Sequence, residues 1–537
     1  MRNRGCISRH FCRLVPLGRG GVFPENNGSC FRTSVAPGKN LLMTHPTADA
    51  LVQAISFPAE LESLRPLCLA FLQRLLPLLT PFCAQLPCPQ TTHQLEIDLF
   101  EQLRLFGRDL LQQVFHQFES ADPQQQPARL HYAGNWYRRR RQHPNDIATL
   151  FGKIRLQRYL YEACEPGEPA IHPLELYLGL EEGNATPALA ERVGKWAAEH
   201  PQEAVLQLLW DEHDVHWSCD TLRKVTSGLA DGLASHRQQA QTQKLLQWLQ
   251  AANDSRGAHR PVLAVGRDGI HLPMRGEYKE GATATVSVYD RRGKRLGTVY
   301  LGHMPQEGQL TLSAQLTALV LAVLQGWTGP LPRLAYITDG GHHPKDYYQR
   351  VLRRMKNPHR PGERLAWQWI VDYYHASGYV TKLAEALFGE TSAGTKWARR
   401  MRHWLKHRRQ GVVQVLRSAT AHHNQRLLSK AAQTEYGKAY RYLRRHARFM
   451  NYEQYRRQGM PIGSGVTEAA CKTVFTQRFK QSGMSWNITS GQVIVELRVI
   501  LRSRLWSEVN QTFRVAKKLP TTTTCQVETS ESSEKAA

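Results

Sequence analysis

Leucines recur at three- and four-residue spacing over 47–114, among them Leu99, Leu103, Leu110 and Leu111, and predict a helical N-terminal unit at 43–121. A polar Gln/Pro stretch at 122–127 ends it. Next, Ile154, Leu156 and Leu160 alternate with Lys153, Arg155 and Gln157, the period-two pattern of a half-buried strand. Over 186–250 the helical period returns. Ala204, Leu208 and Leu209 line one helix, 214–217 form a turn, and Ser218 is placed to cap a second helix carrying Arg223 and Lys224. From 261 to 372 the pattern changes to alternating strands and helices: an apolar strand at 262–266 ending at Asp268, strands at 283–289 and 296–301 around a turn, a buried helix at 310–324, and strands at 334–338 and 367–371 ending at Asp339 and Asp372. Helical spacing resumes at 391–460 and again at 490–507. No internal repeat is present.

The length, 537 residues, exceeds what one hydrophobic core supports, so several packed units are expected. Lys plus Arg outnumber Asp plus Glu by 70 to 45, a net +25. A field of that sign favours a polyanion, and double-stranded DNA is the partner it predicts. The charge is uneven: 391–460 carry 17 Lys or Arg against Glu435 and Glu453 alone, which singles out Arg444, Arg445 and Arg448 as phosphate contacts. Trp136 and Tyr137 beside Arg138, Arg139, Arg140 and Arg141 suit either phosphate contact with stacking or a plain solvated turn. The segment around Ser218 resembles a helix-turn-helix, which makes 128–255 a DNA-binding region with Arg223 and Lys224 at the groove; a helical hairpin of an ordinary core has the same pattern.

Apolar runs at 67–88 and 316–327 are interrupted or too short to span a bilayer and read as buried helices, with no membrane partner and a cytoplasmic location, on the nucleoid when bound to DNA. Ten scattered cysteines without paired CxxC units read as reduced thiols. Residues 1–42 show neither periodicity nor a secretory signal and read as disordered or as a misassigned start ahead of Met43. Residues 511–537, Thr/Ser/Glu-rich from Leu519, are expected to be disordered.

Phosphodiester chemistry on two divalent ions needs carboxylates from separate elements to converge. Asp268 and Asp339 each follow an apolar strand and each sit among glycines, in Gly266-Arg267-Asp268-Gly269 and Thr338-Asp339-Gly340-Gly341, where backbone and substrate can approach closely. An isolated Asp at such a place is an ordinary turn former. Two at equivalent strand ends favour catalysis.

The segments VLAVGRDGI, LAYITDGG, IVDYYH and PIGSGVTEAACKTVFTQRFKQSGMSW resemble the first-Asp, second-Asp, D-x-x-H and Glu-helix blocks of insertion-sequence DDE transposases of the ISKra-type family, similar to the Mutator-like branch. The resemblance covers roughly 147–506, about two thirds of the chain. It implies an α/β RNase H-like catalytic core (261–390 and 461–510) with a large all-α insertion (391–460), plus a mostly helical N-terminal DNA-binding region. It also implies two Mg²⁺ ions, replaceable by Mn²⁺, held by Asp268, Asp339 and Glu468, binding of terminal repeats and target DNA, and a homodimer or higher assembly on DNA. Asp372 and His375 match the D-x-x-H block, either facing the metals or serving as a helix cap and a core histidine. On the Glu468 helix, Lys472, Arg478 and Lys480 would contact phosphates, and Trp486 would stack on a base or pack. Glu468 has an alternative in an i,i+4 pair with Lys472. Related N-terminal regions carry paired cysteines after the strand near Ile154, whereas here only Cys164 stands there. A host nuclease or resolvase on the same core, or a non-catalytic DNA-binding derivative, are the competing functions.

Overall fold

The computed structural model describes residues 53, 56–84, 86–119 and 122–521. The chain divides into Met1–Ser56 and Phe57–Ala537. The expectations for 1–42 and for the tail beyond 521 lie outside the described residues. All the numbered helices and strands belong to the second unit.

Helices α1 (Arg65–Ala84) and α2 (Pro89–His116) pack on each other, with Phe71 stacked on Phe106 at 4.5 Å. α1 buries no residue. Among the described residues the expected burial of the 67–88 run therefore fails, because α2 packs on one face and the helix buries no residue. α2 docks through Arg104, which donates to the Phe151 carbonyl (3.1 Å) and to Asp214 (3.3 Å).

Three strands follow in antiparallel order, β1 (Arg129–Tyr132), β2 (Asn135–Thr149) and β3 (Gly152–Ala163). Only part of β3 was expected. The β1–β2 turn is Ala133-Gly134, both at positive φ (51° and 97°), as in two-residue hairpins. Alanine there carries none of the usual turn signal, so a region read as mostly helical is a sheet between 129 and 163. The run Arg138 to Arg141 lies in β2 at a bulge rather than in a solvated turn. Arg139 donates to the Pro123 and Gln126 carbonyls and Arg140 to Glu162 (2.7 Å).

After α3 (Pro173–Leu178) and α4 (Pro187–Glu199), α5 (Gln202–His213) and α6 (Cys219–Asp254) flank a turn, and Ser218 accepts from the Thr221 amide (3.1 Å) as the expected cap. The second helix is no short reading helix. Its 36 residues span about 54 Å. Leu222 and Val225 are buried in a smaller core with α4 and α5, and Leu229, Leu233, Leu245 and Leu249 in the main core. Arg223 and Lys224 are exposed in its first turns.

The central sheet has the order β6-β5-β4-β7-β8. β4 (Val262–Pro273), β5 (Tyr278–Tyr289) and β6 (Arg295–His303) are antiparallel neighbours; β7 (Arg333–Thr338) lies parallel to β4, and β8 (Trp367–Val371) parallel to β7. β6 leads into α7 (Leu310–Gly326), and α8 (His342–Arg350) joins β7 to β8. The apolar run of α7 is buried as expected, through Leu312, Leu316, Leu319, Val320, Val323 and Leu324. Asp268 does not end its strand, because β5 pairs with β4 as far as Pro273 whereas β7 pairs only as far as Gly266.

From β8 the chain is helical: α9 (Tyr373–Phe388), α10 (Ser392–His407), α11 (Gly411–Asn424), α12 (Lys430–His446) and α13 (Tyr452–Arg457). α14 (Gly465–Ala470), a π turn at Cys471–Thr476 and α15 (Gln477–Phe479) follow as one helical run, then α16 (Ile488–Arg502) and α17 (Trp506–Val515). Residues 511–521, expected to be disordered, are held in place. Phe513 packs on Gly232 of α6, Lys517 bonds Glu181 (2.8 Å), and Thr521 bridges His131 of β1. The result is a mixed α/β protein whose largest core surrounds the five-stranded sheet.

Candidate active site

Alternation along a strand puts Gly266 and Asp268 of β4 on one face, beside their register partners Thr285 and Thr283 of β5. The helical run that carries Glu468 lies on this face. Thr467 and Cys471, one turn apart, make two rungs: Thr467 Oγ1 meets Thr285 Oγ1 at 2.8 Å, and Cys471 Sγ lies 3.0 Å from Thr283 Oγ1 and 3.5 Å from Asp268 Oδ2. Gly266 makes the approach possible, since a Cβ there would run into Thr467 and stand 2.8 Å from Thr285 Oγ1. The helix widens into its π turn immediately after these contacts, a distortion found often at functional sites.

Asp268 accepts from the Gly269 amide at 2.8 Å. Burial, then the neighbouring Asp339 and Glu468, push its carboxyl up to about 6, while Gly269 and Cys471 act in the opposite sense. Burial pushes the Cys471 thiol up to about 12, so it stays protonated and donates to Asp268.

Asp339 follows β7. Its Oδ1 accepts from the Gly341 amide (2.9 Å), across Gly340 at φ 87°. Tyr442 of α12 donates to the Asp339 carbonyl (2.6 Å), which ties the basic helical segment to this turn. Glu468 is exposed and accepts from Ser464 Oγ at 3.1 Å. The i,i+4 pair with Lys472 is not formed: among the described residues none of the three acids has a Lys, Arg or His nitrogen within 4 Å. Nor are three His, Cys, Asp or Glu side chains among them already gathered as a ligand cluster, so the acids are coupled neighbours rather than a closed chelate.

Asp372 turns out to be a cap and a clamp. It is fully buried, accepts from the His375 amide at 2.6 Å, and also from the Ser464 amide in the loop before α14. Tyr373 N to Ile462 O (2.9 Å) extends the zipper. The Ser464 N–H is thereby used up. His375 is exposed, not a core histidine, and packs edge-on against Tyr379 and Tyr442 at 5.4 and 5.6 Å. The last two rings stack at 3.8 Å.

Arg444, Arg445 and Arg448 are exposed at the end of α12 and just beyond, and Lys472 and Lys480 are exposed near Glu468. Arg478 is not a surface contact: it is 2% exposed, since the carbonyl of Ala197 on α4 and the Trp486 ring cover it. Trp486 packs instead of offering a free face. Phe479 lies 4.4 Å from its ring, Arg478 5.0 Å, and its indole N–H goes to the Phe479 carbonyl. Cys471, Tyr442 and Thr467 were not anticipated, because each gains its role from a partner more than 100 residues away. The glycines around Asp268 were the only sign of close approach.

No protein-family model matches the chain, and no curated protein is similar enough to count as a relative, so this site is read from its own geometry.

Proposed function

We propose that the chain cleaves and joins DNA strands with divalent metal ions held by Asp268, Asp339 and Glu468, as an insertion-sequence DDE transposase. The observation that carries this is electrostatic. In a chain of net +25, Asp268 has no cationic partner within 4 Å among the described residues, and the negative charges of Asp339 and Glu468 add to burial in raising it to about 6. A hard divalent cation with oxygen ligands is the partner such a donor set fits. The sheet order supports the reading, since three antiparallel strands followed by two parallel ones are what an RNase H-like core requires, with an all-helical insertion between β8 and α14.

Two bound ions would supply activation of the attacking oxygen and stabilisation of the leaving oxygen. The chain's own groups orient the ligands: Gly269 N–H and the Cys471 thiol for Asp268, Gly341 N–H for Asp339, and the Ser464 hydroxyl for Glu468. Asp372 sets the helix bearing Glu468 against the start of α9. Incubating the protein with a labelled element end and Mg²⁺ tests the reading. Nicking followed by joining is expected; cutting without joining would assign a nuclease, and no cutting would overturn the metal assignment.

Charge reversal of Arg444, Arg445 and Arg448 should flatten the dependence of log affinity on log salt by about three, near one per lost phosphate contact. Binding titrations over salt read this directly, and an unchanged slope would leave these helices as scaffold. His375→Ala should leave the melting temperature unchanged, because the ring is exposed, and slow cleavage by about 10²–10⁴-fold as a positioned proton donor or acceptor. Normal single-turnover cleavage would remove His375 from the site.

A further inference from the structure

Three residues that the sequence suggested as separate DNA contacts, Arg223, Arg478 and Trp486, line one cleft together with Arg275. The cleft holds about 920 Å³, and none of its lining residues belongs to the carboxylate site. Three helices begin at it: Pro201 and Gln202 open α5, Cys219 opens α6, and Asn487 caps α16. The amides at these ends and the partial positive charge of each helix favour an anion.

A second, independent observation is Arg478. It is 2% exposed, yet among the described residues no carboxylate lies within 4 Å of it and its Nη2 has no acceptor. The neighbouring Arg498 holds Glu199 at 3.6 Å and takes the carbonyls of Ala198, Thr473 and Val474, so Glu199 acts on Arg478 only from beyond 4 Å. A buried guanidinium without an anion is costly, and one facing an open cleft is completed by an anionic ligand. Burial, then Arg498, hold the Arg478 pKa down to about 10, with Glu199 acting in the opposite sense. Around it, Arg275 is exposed without an ion pair among the described residues, Arg223 is held by exposed Asp220 (2.9 Å) and by Gln202 Oε1 (3.3 Å), and Ser482 and Ser485 add neutral donors. Glu203 is the one acid on the wall.

We propose that this cleft is a second nucleic-acid site that grips the phosphates of a DNA strand through the exposed Arg223 and Arg275, with the buried Arg478 beneath them adding to the positive field. The choice of DNA over another phosphate rests on the function proposed above; the anion site rests on the cleft alone.

The test compares the full chain with its Arg223→Ala/Arg275→Ala variant, both exposed positions, with circular dichroism and melting to show that the fold is intact. Affinity for a fluorescently labelled duplex is titrated over salt without divalent ions, so the outcome is independent of whether the carboxylates cut. A slope smaller by about two and an affinity at least about tenfold weaker at 0.1 M salt are expected. In parallel, inorganic pyrophosphate should raise the melting temperature of the parent and not of the variant. Stabilisation by pyrophosphate with unchanged DNA binding would mean a site for free phosphate, overturning the DNA assignment. No difference in either measurement would overturn the site altogether.

Discussion

An Asp268→Asn substitution is expected to lower Mg²⁺-dependent strand cleavage by about 10³-fold or more and, at pH 8, to raise the melting temperature. On the function proposed above, the rate falls because the variant loses a carboxylate that would hold metal, and several kcal/mol of charge stabilisation corresponds to about three powers of ten. Stability rises for the reason that makes the site work. Burial and the nearby Asp339 and Glu468 disfavour the ionised form, which moves the carboxyl from 3.8 to about 6. With the folded value above the unfolded one, the folded state binds the proton more tightly. The wild type is therefore unaffected below about pH 4, loses stability as the pH rises through about 6, and stays destabilised above it, by roughly 2–3 kcal/mol at most. Asparagine cannot ionise, so the gain over wild type should open between pH 4 and pH 6 and level off beyond. Mg²⁺ should reverse the order by stabilising the wild type through binding and leaving the variant unmoved. Melting curves of both proteins from pH 4 to 8, with and without Mg²⁺, read all of this. A variant that melts lower at every pH, or that cuts at the wild-type rate, would make Asp268 a structural residue.

The parts of this molecule legible in the sequence are those in which local pattern and tertiary role coincide. The strands of the central sheet announce themselves as apolar runs, and Asp339 ends its strand as expected because Gly340 must turn there. Asp268 was located but its setting was not: whether β4 stops or continues depends on β5, an antiparallel partner that outlasts β7. Arg478 shows the limit most clearly. On the helix pattern it is one more basic residue near Glu468, yet α4, nearly 300 residues earlier in the chain, supplies the Ala197 carbonyl that buries it. Trp486 likewise reads equally as a stacking ring or a packed one until Phe479 and Arg478 are seen against it. The β1–β2 hairpin was hidden by an alanine at positive φ, and the ordered 511–521 segment by a polar composition that is held through Phe513, Arg514, Lys517 and Thr521.

The D-x-x-H block should divide into two kinds of residue, and Asp372→Ala is the variant that shows it. The Asp372 carboxylate is fully buried and accepts from the amides of His375 and Ser464, one on α9 and one in the loop that leads to α14. Removing it strands two buried N–H groups at about 1–3 kcal/mol each and deletes the cap of α9. A loss of about 2–5 kcal/mol is expected, enough to lower the melting temperature visibly. Cleavage should fall as well, because the zipper of 372–373 onto 462–464 is what sets Glu468 opposite Asp268. That loss acts through position, so DNA affinity should hold while the single-turnover rate drops. Asp372→Asn provides the graded control: its carbonyl oxygen can still accept one amide, while its amide nitrogen meets the other N–H with no acceptor, so stability and rate should both lie between the wild type and the alanine variant. Glu468→Gln, which leaves the zipper intact, should lose the rate without the stability. If Asp372→Ala instead melts like the wild type and is as inactive as Asp268→Asn, its carboxylate reaches the metal or the substrate, and the clamp is not its role.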